Sequence, residues 1–257
     1  MLRVFVLKNA VGTSAYHWTE ILRAREREMQ RMGAELQPGW ERTYEEQIRA
    51  GYYTQEKAGI WYGKGAQRAG LPECVTQDHL EKLLTGLDIN GEQMGARLNT
   101  TRRGEAYERD EQTREILIDP ATGRPLKKEV EVENRRCATE VDITVDKTIS
   151  CYLEANPNDL IMPEIINRLV FRRLDLIEAD IETQVNEDGK HFLRTTGNGI
   201  WMVSEQRLTR PVNGMVDPHK HFHCILMNQT WDEAEGRFKA CELGKLFPGE
   251  NKASSRV

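Results

Sequence analysis

The chain has 257 residues, 39% of them apolar, which is enough for a sizeable core, and a single domain over 1–257 is the expectation. A formal charge of −5 excludes a surface that is basic all over, so any nucleic-acid site has to be a local cleft. Five cysteines without a Cys-x-x-Cys pair exclude a disulfide framework and a zinc ribbon, and the apolar runs are too short for a membrane span; with no signal segment at the start, a soluble, cytoplasmic protein is expected.

In chain order, Leu2–Leu7 is β-rich and predicts a first strand, followed by a turn at 11–14 that places Tyr16 at or near the start of a helix. Apolar residues at Trp18, Ile21, Leu22, Met29, Met32 and Leu36 predict an amphipathic helix, part of a helical insertion near 18–50, whose Arg and Glu residues form a solvated, self-paired face. A second short helix follows Pro38 and Gly39. Next come Tyr52 and Tyr53, and then a loop from Trp61 to Ala66 that contains Gly63, Lys64 and Gly65. Thr76 reads as the N-cap of a helix through Leu80, Leu83 and Leu84 that Gly86 stops.

The polar stretch 100–136 predicts a surface hairpin near 110–135, with arms at 114–118 and 127–132 around Asp119, Pro120 and Gly123. Residues 141–145 alternate as a half-buried strand, turning Asp142 and Thr144 to one face. Pro163 opens a long helix with a core stripe of Ile166, Leu169, Val170, Leu174, Ile177 and Ile181. Strands follow at 191–194, 199–207 and 221–228. Without a regular βαβ repeat, the expected class is α+β, a central antiparallel β-sheet flanked by helices.

Three of the six histidines stand at His219, His221 and His223, the i, i+2 and i+4 positions of one strand. Such side chains share a face about 6.6 Å apart, which suits two imidazoles closing on one divalent ion, whereas the outer pair at about 13 Å does not. The apolar run from Cys224 to Met227 makes this a central strand, in which idle histidines would be costly. Two adjacent ligands and a third from another strand are therefore expected. A histidine pair alone does not name a reaction.

The longer string does. Thr195, Thr196, Gly197 and Asn198, then Thr209-Arg210, Asp217-Pro218, His221-Phe222-His223 and Asn228 resemble the central motif of conjugative relaxases of the TrwC/TraI type, the MobF class of the HUH endonuclease superfamily. Trp61, Gly63, Lys64, Gly65 and Ala66, the strand around Asp142, and the start through Tyr16 resemble that family in the same order. The resemblance implies a relaxase-like fold, the N-terminal part of a longer protein, and metal-dependent nicking of single-stranded DNA at a plasmid transfer origin. Strand transfer would run through a covalent 5′-phosphotyrosine, with accessory conjugation proteins as possible partners. Tyr16 fits the family's first tyrosine and Tyr52 and Tyr53 its second pair, or, with 17–51 as an insertion, Tyr52 is the primary nucleophile; Asp142 is the residue expected to assist the attack. His221 and His223 would hold Mg²⁺ or Mn²⁺. Where the family has a further histidine this chain has Gln206, so Gln206, His219 or Glu205 completes the set. Asp217 would orient an imidazole. Lys64, Arg68, Arg102, Arg103, Arg207 and Arg210 are expected phosphate contacts, and Trp61 or Trp201 base-stacking rings. The rival readings are a rolling-circle replication initiator, a degenerate DNA-binding module and a cupin-like metalloenzyme.

Overall fold

The computed structural model describes residues 2–31, 38, 40–41, 59–95, 101–109, 115–120, 122–133, 136–209 and 217–247. Its centre is a five-stranded antiparallel sheet. Strand β1 (Leu2–Leu7) forms one edge, next to β5 (Ala138–Thr144), and β9 (Pro218–Met227) lies in the middle. Beyond it are β8 (Trp201–Leu208) and the short edge strand β2 (Ile60–Tyr62). The expected α+β class is what folds, and an open sheet of this kind is not the double-sheet sandwich of a cupin.

Period-two alternation sorts the sheet's side chains onto two faces. On one face, Val141, Val203, Phe222, Cys224 and Leu226 pack on Ile166, Val170, Leu174 and Ile177 of the long helix α5 (Ile161–Ala179). On the other, Met202, Ile225 and Met227 pack with Leu80, Leu83 and Leu84 of α3 (Gln77–Thr85). Both ends of α3 are as expected: the Thr76 side chain accepts from the His79 N–H, and Gly86 closes the helix at φ 95°. The second face is shared with α1 (Ala10–Arg31), whose Trp18 and Ile21 are buried. Toward the N-terminal end of β9 that face changes from apolar residues to histidines.

Helix α1 starts earlier than the sequence suggests. Residues 11–14 are helical because the Asn9 side chain accepts the Gly12 N–H at 2.5 Å and the Asn9 carbonyl accepts the Thr13 N–H at 2.9 Å. Tyr16 thus lies in its second turn. The charged run is not wholly solvated either, since Glu20 and Arg25 are buried. The expected turn is there, since the Asp119 carbonyl accepts the Gly123 N–H at 2.8 Å and Ile118 bridges Pro125, while the longer ladder of this surface hairpin joins β3 (Thr101–Tyr107) to β4 (Lys127–Glu133). Leu169 is 65% exposed rather than part of the α5 core stripe. Helix α4 (Lys147–Ala155), strand β6 (Glu182–Glu187), which pairs with β7 (Lys190–Thr195), and the ribbon of β10 (Thr230–Asp232) and β11 (Arg237–Lys239) were not expected.

The loop after β2 is fixed against the segment before β8. Helix α2 (Lys64–Arg68) begins where the Glu178 carboxylate accepts the Lys64 N–H and the Gly199 N–H, each at 2.7 Å. A Cβ on Gly65 would stand 2.6 Å from the Gly199 carbonyl, a backbone neighbour that cannot swing aside. Gly65→Ala is therefore expected to cost about 1–3 kcal/mol of stability in denaturant melts, despite alanine's better helix propensity.

Candidate metal and nucleophile site

The three strand histidines lie on the face that α1 covers. Their rings form a row, with centroids 4.9 Å apart between His219 and His221 and 5.0 Å between His221 and His223. The register places His221 between Thr144 of β5 and Gln206 of β8, and His223 between Asp142 and Ser204. His221 donates from Nδ1 to the His219 carbonyl at 2.8 Å, which leaves its Nε2 lone pair for a ligand. Burial pushes His221 down to about 4, so this ring is neutral at physiological pH.

Two carboxylates stand behind His223. Its Nδ1 donates to Glu140 Oε1 at 2.7 Å and to Asp142 Oδ1 at 3.1 Å. Burial alone would lower His223, but the hydrogen bonds to Asp142 and Glu140 outweigh it and raise the ring to about 9. Burial pushes Glu140 above the usual carboxyl range; Asp142 is also desolvated, yet the His223 hydrogen bond holds it below that range. From α1, His17 packs its ring 5.7 Å from that of His223, and burial drives it down to about 3. Tyr16, 37% exposed, meets the His17 ring edge-on at 4.9 Å.

His17, Glu140 and His223 are all buried and offer ligand atoms within 4.8 Å of one another. Two imidazoles and a carboxylate are donors that a first-row divalent cation takes, so the residues present fit such an ion. His17 and Glu140 are functional candidates that the sequence reading missed. Glu140 had a signal, since it stands two residues before Asp142 on the same strand face.

The other expected site residues divide. Gln206 does sit opposite His221, but its amide donates to Glu20 Oε2 of α1 at 3.5 Å. Glu205 alternates to the opposite face, where it accepts from Lys220 Nζ at 2.6 Å and from Arg207 Nε at 3.1 Å, so it is no partner for the histidine row. Asp217 faces Lys147 at 3.4 Å rather than an imidazole. Trp61 is 7% exposed and Trp201 fully buried; both are core rings and neither is placed to stack on a base. Arg68 lies over the Trp231 ring at 4.3 Å and pairs with Glu233, and the Lys64 side chain is exposed beside it in α2. Arg102 and Arg103 lie on β3 of the hairpin. Tyr52, Tyr53 and Arg210 lie outside the described residues.

Several residues of the long motif serve the scaffold. The Asn198 amide donates to the Thr196 and Trp231 carbonyls at 2.9 Å each, and its oxygen accepts the Trp231 N–H at 2.8 Å. Asn228 accepts from the Arg136 guanidinium and donates to the Arg136 carbonyl.

A family model for the TrwC relaxase matches residues 26–256. Among solved structures, the metal-free complex of the conjugative relaxase TrwC with oriT DNA is 21% identical, with a TM-score of 0.53, over 96% of this chain and 62% of that one. The metal-bound oriT complex aligns with the same identity and TM-score, over 96% and 63%. TrwC complexed with a 27-mer DNA comprising the recognition hairpin and the cleavage site is 20% identical, with a TM-score of 0.52, over 96% and 61%. The chain thus spans less than two thirds of the length of these relaxase chains, with which it shares a fold. None of the curated proteins matches it.

Proposed function

Because the chain belongs to the TrwC relaxase family, we propose that it nicks one DNA strand at a transfer origin and passes the cut strand on through a covalent 5′-phosphotyrosine. The observation that carries this reading is the placement of Tyr16, whose ring meets His17 of a buried histidine and carboxylate cluster that also takes in Glu140 of β5 and His223 of the central strand.

In this reading the Tyr16 hydroxyl attacks the scissile phosphorus, the bond to the 3′ oxygen breaks, and the 3′-hydroxyl leaves. The phosphodiester energy is retained in the phosphotyrosine for rejoining. Charge withdrawal from the scissile phosphate, and its orientation, are what a divalent cation supplies when bound at the histidines. His221 and His223 are its ligands from β9, and nitrogen donors favour Mn²⁺ over Mg²⁺. Asp142 acts through His223: accepting from Nδ1, it fixes the ring so that Nε2 is the nitrogen that meets the ion once its proton is displaced. Lys64, Arg68 and Arg207 are solvent-facing cations that contact DNA phosphates, a local footprint on an acidic chain. No described helix is long and apolar enough to cross a membrane; acting on transfer-origin DNA, the protein works in the cytoplasm in this reading.

The test is incubation with fluorescent single-stranded oligonucleotides and Mn²⁺. A denaturant-resistant protein–DNA adduct is expected; no adduct on any pool, with Mn²⁺ shown to bind, sinks the nicking reading. Cation binding also has a predicted pH dependence. His223 keeps its proton up to about pH 9, and a cation competes with that proton. Mn²⁺ affinity, measured by calorimetry, is expected to rise by up to about tenfold per pH unit from 7 toward 9 and then level off.

A further inference from the structure

The histidine row does not end on β9. It runs His219, His221, His223 with spacings of 4.9 and 5.0 Å, and continues onto α1, where the His17 ring lies 5.7 Å from His223. Two imidazoles that bind one ion through nitrogens about 2.1 Å away have centroids about 4.5–6 Å apart for bond angles between about 90° and 140°. Both spacings around His223 meet that condition. His17 is 2% exposed, and its Nε2 lies 3.8 Å from Glu140 Oε1, the oxygen that accepts from His223.

Gln206 fills the place opposite His221, and its amide nitrogen donates to Glu20 Oε2 at 3.5 Å, one helical turn along α1 from Tyr16 and His17. It ties the helix to the sheet. Glu140 and Asp142 share one covered strand face and both pair with His223, so a cation that displaces the His223 proton supplies the positive charge these carboxylates would otherwise lose.

We propose that His17 is a ligand of the cation that His221 and His223 hold, with Glu140 beside them, in the place for which the sequence offered Gln206. The ion then links the central strand to the helical turn that carries Tyr16, so that filling the site also fixes the hydroxyl beside it. This rests on the reading that a divalent cation binds at the histidine row, and it names the donors that hold it.

The test uses protein stripped with a chelator and titrated with Mn²⁺ by calorimetry in the absence of DNA. His17→Gln is expected to weaken Mn²⁺ binding at least about tenfold, and Gln206→Ala by less than about threefold. Wild-type affinity in a folded His17→Gln variant overturns the proposal, as does a loss confined to Gln206→Ala. Because His17 is buried, a second measurement needs no variant. In wild-type protein with ¹⁵N-labelled histidine, the His17 ring-nitrogen resonance, assigned through the backbone, shifts on adding Zn²⁺; an unshifted His17 overturns the proposal. The two readings fail separately. Mn²⁺ binding through His17 without any DNA adduct leaves the ligand standing and sinks the nicking reading, whereas an adduct with His17 uninvolved does the reverse.

Discussion

Tyr16→Phe is expected to lower the rate of covalent adduct formation at least about a thousandfold while leaving Mn²⁺ and single-stranded DNA affinity within about threefold. The substitution removes one atom, the phenol oxygen, which is the proposed nucleophile. The ring stays, so its edge contact with His17 and its place in the second turn of α1 stay too. A phenol with a pKa near 10 is protonated at neutral pH, and it reacts only where a cation or a base helps it lose the proton. Among the described tyrosines, Tyr16 is the one in ring contact with the histidine row. Tyr62 donates its hydroxyl to Asp175 at 2.5 Å, and burial with that carboxylate raises its pKa; Tyr152 donates to Asp159 at 3.0 Å. Neither is poised to attack phosphorus. Gel mobility after denaturation reads the adduct, and Tyr52→Phe is the companion variant. An undiminished adduct in Tyr16→Phe, with loss in Tyr52→Phe, would move the nucleophile to Tyr52.

What could be read in advance follows from how local each signal is. The β9 histidines were legible because strand alternation and the apolar run after them sit in one stretch of sequence, and the same alternation put Asp142 on the correct face. Thr76 and Gly86 were legible because caps are chemistry of a single residue. His17 was not. Its role depends on α1 crossing the sheet at His223, a contact between opposite ends of the chain, and a lone histidine in a charged helix carries no period. The start of α1 was misplaced because Gly12 and Ser14 read as turn residues, whereas the Asn9 cap and the burial of Thr13 and Ser14 keep the helix going. The arm Thr101–Tyr107 has mostly polar side chains and so lacks the alternation that announces a half-buried strand. Glu178 reads as one more polar residue near the end of α5, and only the folded chain shows its carboxylate turned inward onto two backbone amides.

That inward carboxylate leads to the second large effect. Glu178→Ala is expected to destabilise the protein by about 2–4 kcal/mol and lower its melting temperature by about 5–15 °C, because the N–H groups of Lys64 and Gly199 lose their acceptor in a site with little room for water. Single-stranded DNA affinity should fall as well, since the loop that presents Lys64 is released from the sheet. Glu178→Gln separates the hydrogen bonds from the charge. Its amide oxygen still accepts, so the loss should stay within about 1 kcal/mol. Burial raises the Glu178 pKa above the ordinary 4.5, even though the Gly199 and Lys64 N–H groups oppose the shift. A carboxyl raised in the folded state contributes stability that is fully present below 4.5 and lost as pH rises through the raised value. Glutamine does not titrate. The stability gap between wild type and Glu178→Gln should therefore narrow as pH rises above 4.5 in denaturant melts, and a gap that widens would show that the ionised carboxylate is what the two amides require.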